Sequence, residues 1–486
     1  RYQLDDLQPY LYKTTDYGRT WTKIVTGIPG TEFTRTIRED PVRRGLLFAG
    51  TERNVWVSFN DGANWQSLRR NLPFVPVHDL AIKDGDLIAA THGRGFWIMD
   101  DISTLRQITP AIMASNAHLF APRKVYRTNF YGGASSGATG RPPSAANPPS
   151  GAVVYYWLKS PRQVVTLDFL DSKGSVIRHF TSEQDSTQRA DSIDAAAKNA
   201  TLRDSLTKAG VSRDSISKLL RAASGGEQAG RGGRRGGPQT ARVANKAGLN
   251  TFDWNLRYSD AVTFKGLVFW GGGVTGPAAP PGTYTVRMTS GGVTQTQKFE
   301  LVKDPRASAT QHDLDEQFAF LIRIRDTLSA ANNAVRTVRN VRSQIEERGK
   351  ALAAGDRAAF EQQSGPVMQK LTTIEEAIYQ TQSHASEDPL NYPIRLHTKI
   401  AALGSDVSGA DSRPTAPAYP VYTLLSAQLD VQLRALHSAL GELKGVNTFL
   451  ASHGAAAIVP STAEVKGADV PAPDEGETDM DDSADR

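Results

Sequence analysis

The amino-terminal region contains Thr14-Thr15-Asp16-Tyr17-Gly18-Arg19-Thr20-Trp21, and 44 residues later it contains Ser58-Phe59-Asn60-Asp61-Gly62-Ala63-Asn64-Trp65. Both segments place Ser or Thr first, Asp or Asn third, Gly fifth and Trp eighth. The shared register continues, because Pro29 and Pro73 each follow the tryptophan after eight residues. This agreement indicates two copies of one structural unit.

The residue types of the repeated segment are those of a tight turn. An Asp or Asn side chain can accept hydrogen bonds from backbone amides of the turn, and a glycine supplies a position with positive φ. The tryptophan can then pack onto the adjoining sheet. We therefore predict structural rather than chemical roles for the turn residues, which are Asp16, Gly18, Trp21, Asn60, Gly62 and Trp65.

A second repeat lies in the strands around these turns. Leu46–Thr51 and Val55–Val57 match Leu87–Thr91 and Phe96–Ile98, and each pair reads as two apolar strands joined by a short polar turn. The matched tryptophans Trp56 and Trp97 are expected in the core. A period of about 40 to 50 residues built from short strands is typical of β-propeller blades.

The two turns, together with the closing segment 91–101, resemble the last blades of the sortilin-like, Asp-box β-propeller proteins of bacteria. Members of that group are often labelled glycosyl hydrolases by similarity. The first turn matches the Asp-box fully, whereas the second has Asn60 and Asn64 in place of Asp and Thr. The resemblance implies an exported, extracellular, periplasmic or cell-surface protein.

Residues 1–108 are too few for a closed propeller. They hold about two to two and a half blades, whereas closed propellers have at least about four. We therefore expect the missing N-terminal propeller blades to be a partner of this segment. The alternative is a short chain that completes its sheet with another partner.

Composition narrows the remaining possibilities. The chain has 486 residues, enough for several domains, and contains no cysteine. Disulfides and thiolate metal sites are therefore excluded. No apolar run is long enough for a membrane helix. The net charge of +5 combines a basic stretch near Arg231–Arg242 with an acidic tail, so it indicates no particular partner.

Residues 109–150 read as a linker, and residues 151–304 as an immunoglobulin-like β-sandwich with alternating apolar strands. The sequence Pro280-Pro281-Gly282-Thr283-Tyr284 resembles the entry to the final hairpin of immunoglobulin-like domains of the flagellar-hook-capping type. A polar insertion at 183–247 interrupts the strands. Its Arg-Gly-Gly run lacks aromatic residues, so we predict a flexible solvated insertion with a short helix pair and no nucleic-acid binding.

Residues 306–452 show helical periodicity in four stretches, which predicts an antiparallel helical bundle. Residues 453–486 are rich in Pro, Ala and acidic residues and are predicted to be disordered. The fold class is thus multidomain α+β: incomplete propeller blades, a sandwich and a bundle. The apolar positions of the four helical stretches are Leu314, Phe318, Leu321, Leu328, Val335, Val338, Ile345, Val367, Leu371, Ile374, Ile378, Leu396, Ile400, Leu403, Tyr422, Leu425, Leu429, Leu433, Leu436 and Leu440.

The sequence assigns no catalytic residues. A glycosidase needs two carboxylates at a suitable separation, and sequence alone does not show which of the candidates meet. Asp16 is excluded as a catalytic acid because its side chain is expected to accept hydrogen bonds within its own turn. The histidines are scattered and no metal-binding or phosphate-binding motif occurs, so neither a metal nor a cofactor is expected. The candidate carboxylates are Glu32, Glu39, Asp40, Glu52, Asp79, Asp100 and Asp101.

His92 and Arg94 are the candidates for direct ligand contact. They lie in a turn with Gly93 and Gly95, next to Trp97, and turn residues of propellers commonly form the ligand face. In the alternative interpretation the turn is a strap, in which Arg94 bonds to neighbouring carbonyls or pairs with Asp100 or Asp101.

Two functions follow from these features. The chain is predicted to be a noncatalytic binding or scaffold module for a protein, peptide or glycan. The alternative is a glycoside hydrolase whose catalytic acids lie mainly on blades outside this sequence. The helical region could also drive oligomerisation.

Overall fold

The computed structural model describes residues 2–128, 151–183, 207, 241–385 and 387–463. These residues form a mixed α+β structure with several antiparallel sheets and six helices. The chain divides into two compact units. The first contains the described residues of Arg1–Asn255 and Gly282–Val302, and the second those of Leu256–Pro281 and Lys303–Arg486.

Three antiparallel sheets form the amino-terminal part of the first unit. They have two, four and three strands, in the orders β1-β2, β3-β4-β5-β6 and β7-β8-β9. A short helix, α1 (Ser103–Gln107), follows the third sheet. The strands are β1 (Tyr12–Lys13), β2 (Thr22–Lys23), β3 (Thr34–Glu39), β4 (Leu47–Thr51), β5 (Val55–Ser58), β6 (Gln66–Ser67), β7 (Val77–Lys83), β8 (Asp86–Thr91) and β9 (Phe96–Met99).

The predicted strand repeat is confirmed by the register of the second and third sheets. Phe48 lies opposite Val57 in the β4–β5 pair, and Ile88 lies opposite Ile98 in the β8–β9 pair. Apolar side chains of one sheet pack on the next, because the two sheets contribute to one buried cluster. That cluster includes Phe48, Val55 and Val57 from one sheet and Val77, Leu80, Leu87 and Ala89 from the other.

The opposite face of the four-stranded sheet packs against the residues around β1 and β2. Trp56 and Trp65 are buried there with Leu11 and Ile28. Trp97, which matches Trp56 in the repeat, is half-buried against the other cluster. Both matched tryptophans therefore belong to cores, as expected.

Two further sheets complete the first unit, in the orders β10-β12-β15 and β11-β17-β16-β13-β14. Trp254 of the first stacks on Phe169 of the second, with ring centroids 4.6 Å apart. The elements are α2 (Pro110–Ala114), β10 (Ala117–Leu119), β11 (Val125–Arg127), β12 (Ala152–Leu158), β13 (Val165–Leu170), β14 (Val176–Thr181), β15 (Gly248–Trp254), β16 (Gly282–Ser290) and β17 (Val293–Lys303).

The predicted boundaries of this region require two corrections. Residues 109–128 are not a simple linker, because β10 and β11 add an edge strand to each of the two sheets. Residues 256–281 do not belong to the sheets between which they lie in sequence, but to the second unit. Phe264 of this excursion is buried with the helices, since an apolar ring gains more from that core than from a solvated loop.

The second unit contains four longer helices. Helix α3 begins with a capping box in which Thr310 and Asp313 exchange hydrogen bonds. Most of the predicted apolar positions of the four stretches are buried in one cluster. The helices are α3 (Gln311–Ala351), α4 (Ala354–Ile378), α5 (Leu396–Val407) and α6 (Ala418–Ser452).

The predicted disorder after residue 452 is wrong for the part that the structure describes. Ile458 is buried, and Asn447 of α6 bonds both the amide and the carbonyl of this residue. Residues 464–486 lie outside the described residues. So does most of the predicted insertion, although Val243 at its far end is buried and bonds Thr181.

None of the helices in the described part of the chain combines the length and the apolar character that crossing a membrane requires.

Candidate functional site

The first repeated turn is held by side-chain oxygens. Asp16 Oδ1 accepts from the Thr20 amide at 2.9 Å, and Oδ2 accepts from the Thr20 hydroxyl at 2.7 Å. The Thr14 hydroxyl accepts from the Gly18 amide at 2.8 Å. Tyr17 and Gly18 both have positive φ, which explains the glycine at this position. Asp16 is thus occupied by its own turn.

The second turn repeats this hydrogen-bond pattern. Asn60 Oδ1 accepts from the Asn64 amide at 3.0 Å, and the Ser58 hydroxyl accepts from the Gly62 amide at 2.9 Å. The two tryptophans differ, however. Trp65 is 4% exposed and donates from Nε1 to the Ile24 carbonyl, whereas Trp21 is 59% exposed and donates to Gly18 of its own turn.

The first turn gives a prediction for pH dependence. The hydrogen bonds from the Thr20 amide and hydroxyl lower the pKa of Asp16 to about 2. Because the folded-state pKa is below the unfolded one, the ionised carboxylate stabilises the fold above about pH 4. This contribution is lost as the pH falls through about 2. A carboxyl-carbon NMR titration is expected to show a midpoint near 2.

The second turn is the internal control for this titration, because Asn60 replaces the titrating carboxylate. The amide resonances of Asn64 and Gly62 should therefore not follow the Asp16 midpoint. A midpoint for Asp16 at or above the ordinary aspartate value would contradict the prediction.

His92 and Arg94 both lie on the exposed loop between β8 and β9. Gly93 and Gly95 have positive φ, and the Thr91 hydroxyl donates to the Gly95 carbonyl at 2.6 Å. The His92 ring stacks on His78, with centroids 5.1 Å apart. His78 was not predictable from the sequence, because a tertiary hydrogen bond from the His92 amide to the Pro76 carbonyl brings the two segments together.

The strap alternative predicted side-chain partners for Arg94. Within the described residues its guanidinium makes neither an ion pair nor a hydrogen bond, and only its carbonyl is used, by Trp97 Nε1. Asp101 is buried and accepts from the Ser103 amide at the start of α1. Arg94 is therefore a solvent-exposed cation on a loop that its backbone hydrogen bonds hold in shape.

Besides Asp101, five of the seven candidate carboxylates have structural partners. Glu52 and Asp79 pair with Arg35 and Arg38 of β3. Glu32 accepts from Thr51 and Trp56, and Glu39 accepts from the Gly45 amide. Asp40 is buried, pairs with Arg106 and accepts from the amides of residues 42 and 43, and its pKa is lowered despite its burial.

Asp100 differs from these five. Burial, with the neighbouring charges of Asp86 and Asp101, raises its pKa. Arg123 pairs with Asp86 at 3.0 Å, and burial together with Asp101 raises the pKa of Tyr155 to about 12. The sequence predicted Asp100 and Asp101 as candidates, but not Asp86 at the start of β8, Arg123 in the predicted linker or Tyr155 in β12.

The arrangement offers no centre for a metal ion. Across residues 2–128, 151–183 and the other described parts, no three His, Asp or Glu side chains converge in a way that could hold one.

Comparisons with protein-family models, with curated proteins and with solved structures each found no match. The resemblance to Asp-box propeller proteins therefore stays a prediction that rests on the residues quoted above.

Proposed function

We propose that this chain is a noncatalytic binding or scaffold module of an exported bacterial Asp-box propeller protein. In this proposal the sheets β1 to β9 are propeller blades, the next two sheets form an immunoglobulin-like sandwich, and the four long helices form an antiparallel bundle. The ligand is a protein, peptide or glycan.

The observation that carries the proposal is a difference between matched faces of two sheets. Val55 and Val57 of β5 are 4% and 3% exposed, because the next sheet covers them. Their counterparts on β9, Phe96 and Ile98, are 77% and 58% exposed. An exposed apolar face of this kind is typical of an interaction surface. Trp21 is likewise exposed, whereas its counterpart Trp65 is buried. The surface around Trp21 is therefore also assigned to an interaction.

Further propeller blades are the partner that fits these faces best. Sheet β3–β6 uses the face of Phe48, Val55 and Val57 to contact a sheet of its own type. The equivalent face of β7–β9 carries Ile88, Phe96 and Ile98, so a further sheet of this repeat would bury it in the same way. Strand β9 is also an edge strand, whereas β5 has β6 beside it.

The loop with His92 and Arg94 is the proposed ligand contact. The Arg94 guanidinium has no side-chain partner among the described residues, and it suits a carboxylate group, which an acidic peptide or an acidic glycan would supply. Most nearby carboxylates already pair with arginines or accept from backbone amides. Because a glycosidase needs two carboxylates that are available to its substrate, this favours binding over hydrolysis.

The test is retention of the intact chain on arrays of acidic peptides and glycans, followed by affinity measurement for any ligand retained. Arg94→Ala is expected to weaken binding by about tenfold or more, since a hydrogen bond to a charged group contributes about 1.5–3 kcal/mol. The control is Arg19→Ala, which removes another exposed arginine from a turn. Equal affinity of both variants and the unchanged chain would overturn the assignment of this loop.

The glycoside hydrolase alternative is favoured by one observation, the raised pKa of Asp100 beside other carboxylates. A carboxyl group with a raised pKa is the usual general acid of a glycosidase. Hydrolysis of a polysaccharide by the full-length protein with its further blades, lost in Asp100→Asn but retained in Asp84→Asn on a neighbouring exposed turn, would support this alternative.

A further inference from the structure

Helix α6 carries an exposed stripe that its own unit does not cover. Leu424 and Val431 are 59% and 52% exposed, and Val421 is also exposed. With about 100° of rotation per residue, Leu424, Val431 and Ala435 lie on one face of the helix. We name Val421, Leu424, Val431, Ala435 and Ser438 the α6 stripe.

Side-chain size changes along the stripe. The amino-terminal half has the bulky residues Val421, Leu424 and Val431, and the carboxyl-terminal half has Ala435 and Ser438, all exposed. A second α6 running antiparallel, with the axis at Gln432, would place Leu424 near Ser438 of the other copy and would bring the two Val431 side chains together at the axis. A parallel pair would oppose bulky to bulky.

Charge follows the same two-fold pattern. Asp430 and Arg434 both lie on one flank of the stripe, and within the described residues neither forms an ion pair. They also line one shallow groove, with His437 and Ser438. If the two-fold axis passes at Gln432, each Asp430 faces the Arg434 of the other copy. Two equivalent ion pairs then flank the apolar contact.

We propose that the α6 stripe binds a second copy of this chain, forming an antiparallel two-fold dimer centred at Gln432. The dimer is independent of the ligand proposed for the first unit. Size and charge indicate that the partner of the stripe is a second copy of this chain, because the stripe is complementary to itself only in the antiparallel direction.

Sedimentation velocity of the intact chain tests the proposal. The unchanged chain is expected to dimerise, and Asp430→Arg is expected to weaken dimerisation at least tenfold, because it brings like charges together twice. Combining it with Arg434→Asp exchanges the two charges and is expected to restore the dimer. Glu361→Arg, at an exposed carboxylate of α4, is the control and should leave dimerisation unchanged.

Single cysteines give the orientation, since the chain contains none of its own. Val431→Cys is expected to form a disulfide-linked dimer under mild oxidation. Thr448→Cys is expected to remain monomeric under denaturing conditions, because an antiparallel pair separates the two copies of residue 448 by roughly 48 Å. A monomeric chain at high concentration, no rescue by the double exchange, or a cross-link at 448 would each overturn the proposal.

Discussion

Trp65→Ala is expected to lower the free energy of unfolding of the first unit by about 3–5 kcal/mol, as is usual when a buried aromatic side chain is removed. The indole packs among Leu11, Ile28 and Trp56, and its Nε1 donates to the Ile24 carbonyl at 2.8 Å. Alanine leaves a cavity and an unpaired carbonyl. Urea unfolding followed by far-UV circular dichroism measures the loss without depending on indole fluorescence.

Trp21→Ala is the matched control, because the repeat gives it the same position in an equivalent turn. Its ring is mostly exposed, so we expect a loss below about 1 kcal/mol. Equal losses for the two variants would show that the turn, and not its packing, determines the stability. They would also contradict the packing of Trp65 among Leu11, Ile28 and Trp56.

Gly272→Ala is expected to destabilise the second unit by about 2–4 kcal/mol, combining overpacking with an unfavourable φ. Gly272 has φ +81°, and an added Cβ would lie 2.3 Å from the carbonyl carbon of Ala401 in α5. The backbone of an internal helix cannot move away as a flexible side chain would. Calorimetry of the intact chain would show a lower transition temperature for this unit.

Gly273→Ala is the control for that substitution. The neighbouring glycine has open space around its Cβ position and an ordinary φ, so little change is expected. If both variants have the same transition temperature, residues 256–281 do not pack on α5 as described.

The strands of the first unit were predictable because their signal is local. The match between Leu46–Val57 and Leu87–Ile98 gave both hairpins, and the structure shows the same cross-strand register in each. The apolar faces of the helices were equally predictable, since the spacing of apolar residues within a single helix indicates which of its side chains are buried. The turn hydrogen bonds of Asp16 and Asn60 also connect residues within four positions of each other.

The errors in the predicted boundaries have a common cause. Residues 117–119 and 125–127 are too short to give a strand signal, and their partners in β12 and β17 are distant in sequence. Residues 256–281 lie between two strands, yet Phe264 is buried among helices of the other unit. Long-range burial, which no local pattern encodes, decided both assignments.

The candidate site was predictable only in part. His92 and Arg94 were named from their turn, but His78 joins them through a ring contact, and Arg123 approaches Asp86 from the predicted linker. Sequence listed seven carboxylates as equivalent. The structure separates Asp100 from the five that hold arginines or amides, because burial and charge depend on neighbours in space.

The sequence by itself determined the repeated turns, the strand pairs and the helical faces, since each depends on residues close together in the chain. Only the tertiary structure decided which of two equivalent tryptophans is buried, which of three consecutive glycines is required, and which apolar faces lack a cover. Those properties depend on the neighbour that arrives from elsewhere in the chain. Trp21 and Trp65 have the same local sequence pattern, and only the second has such a neighbour.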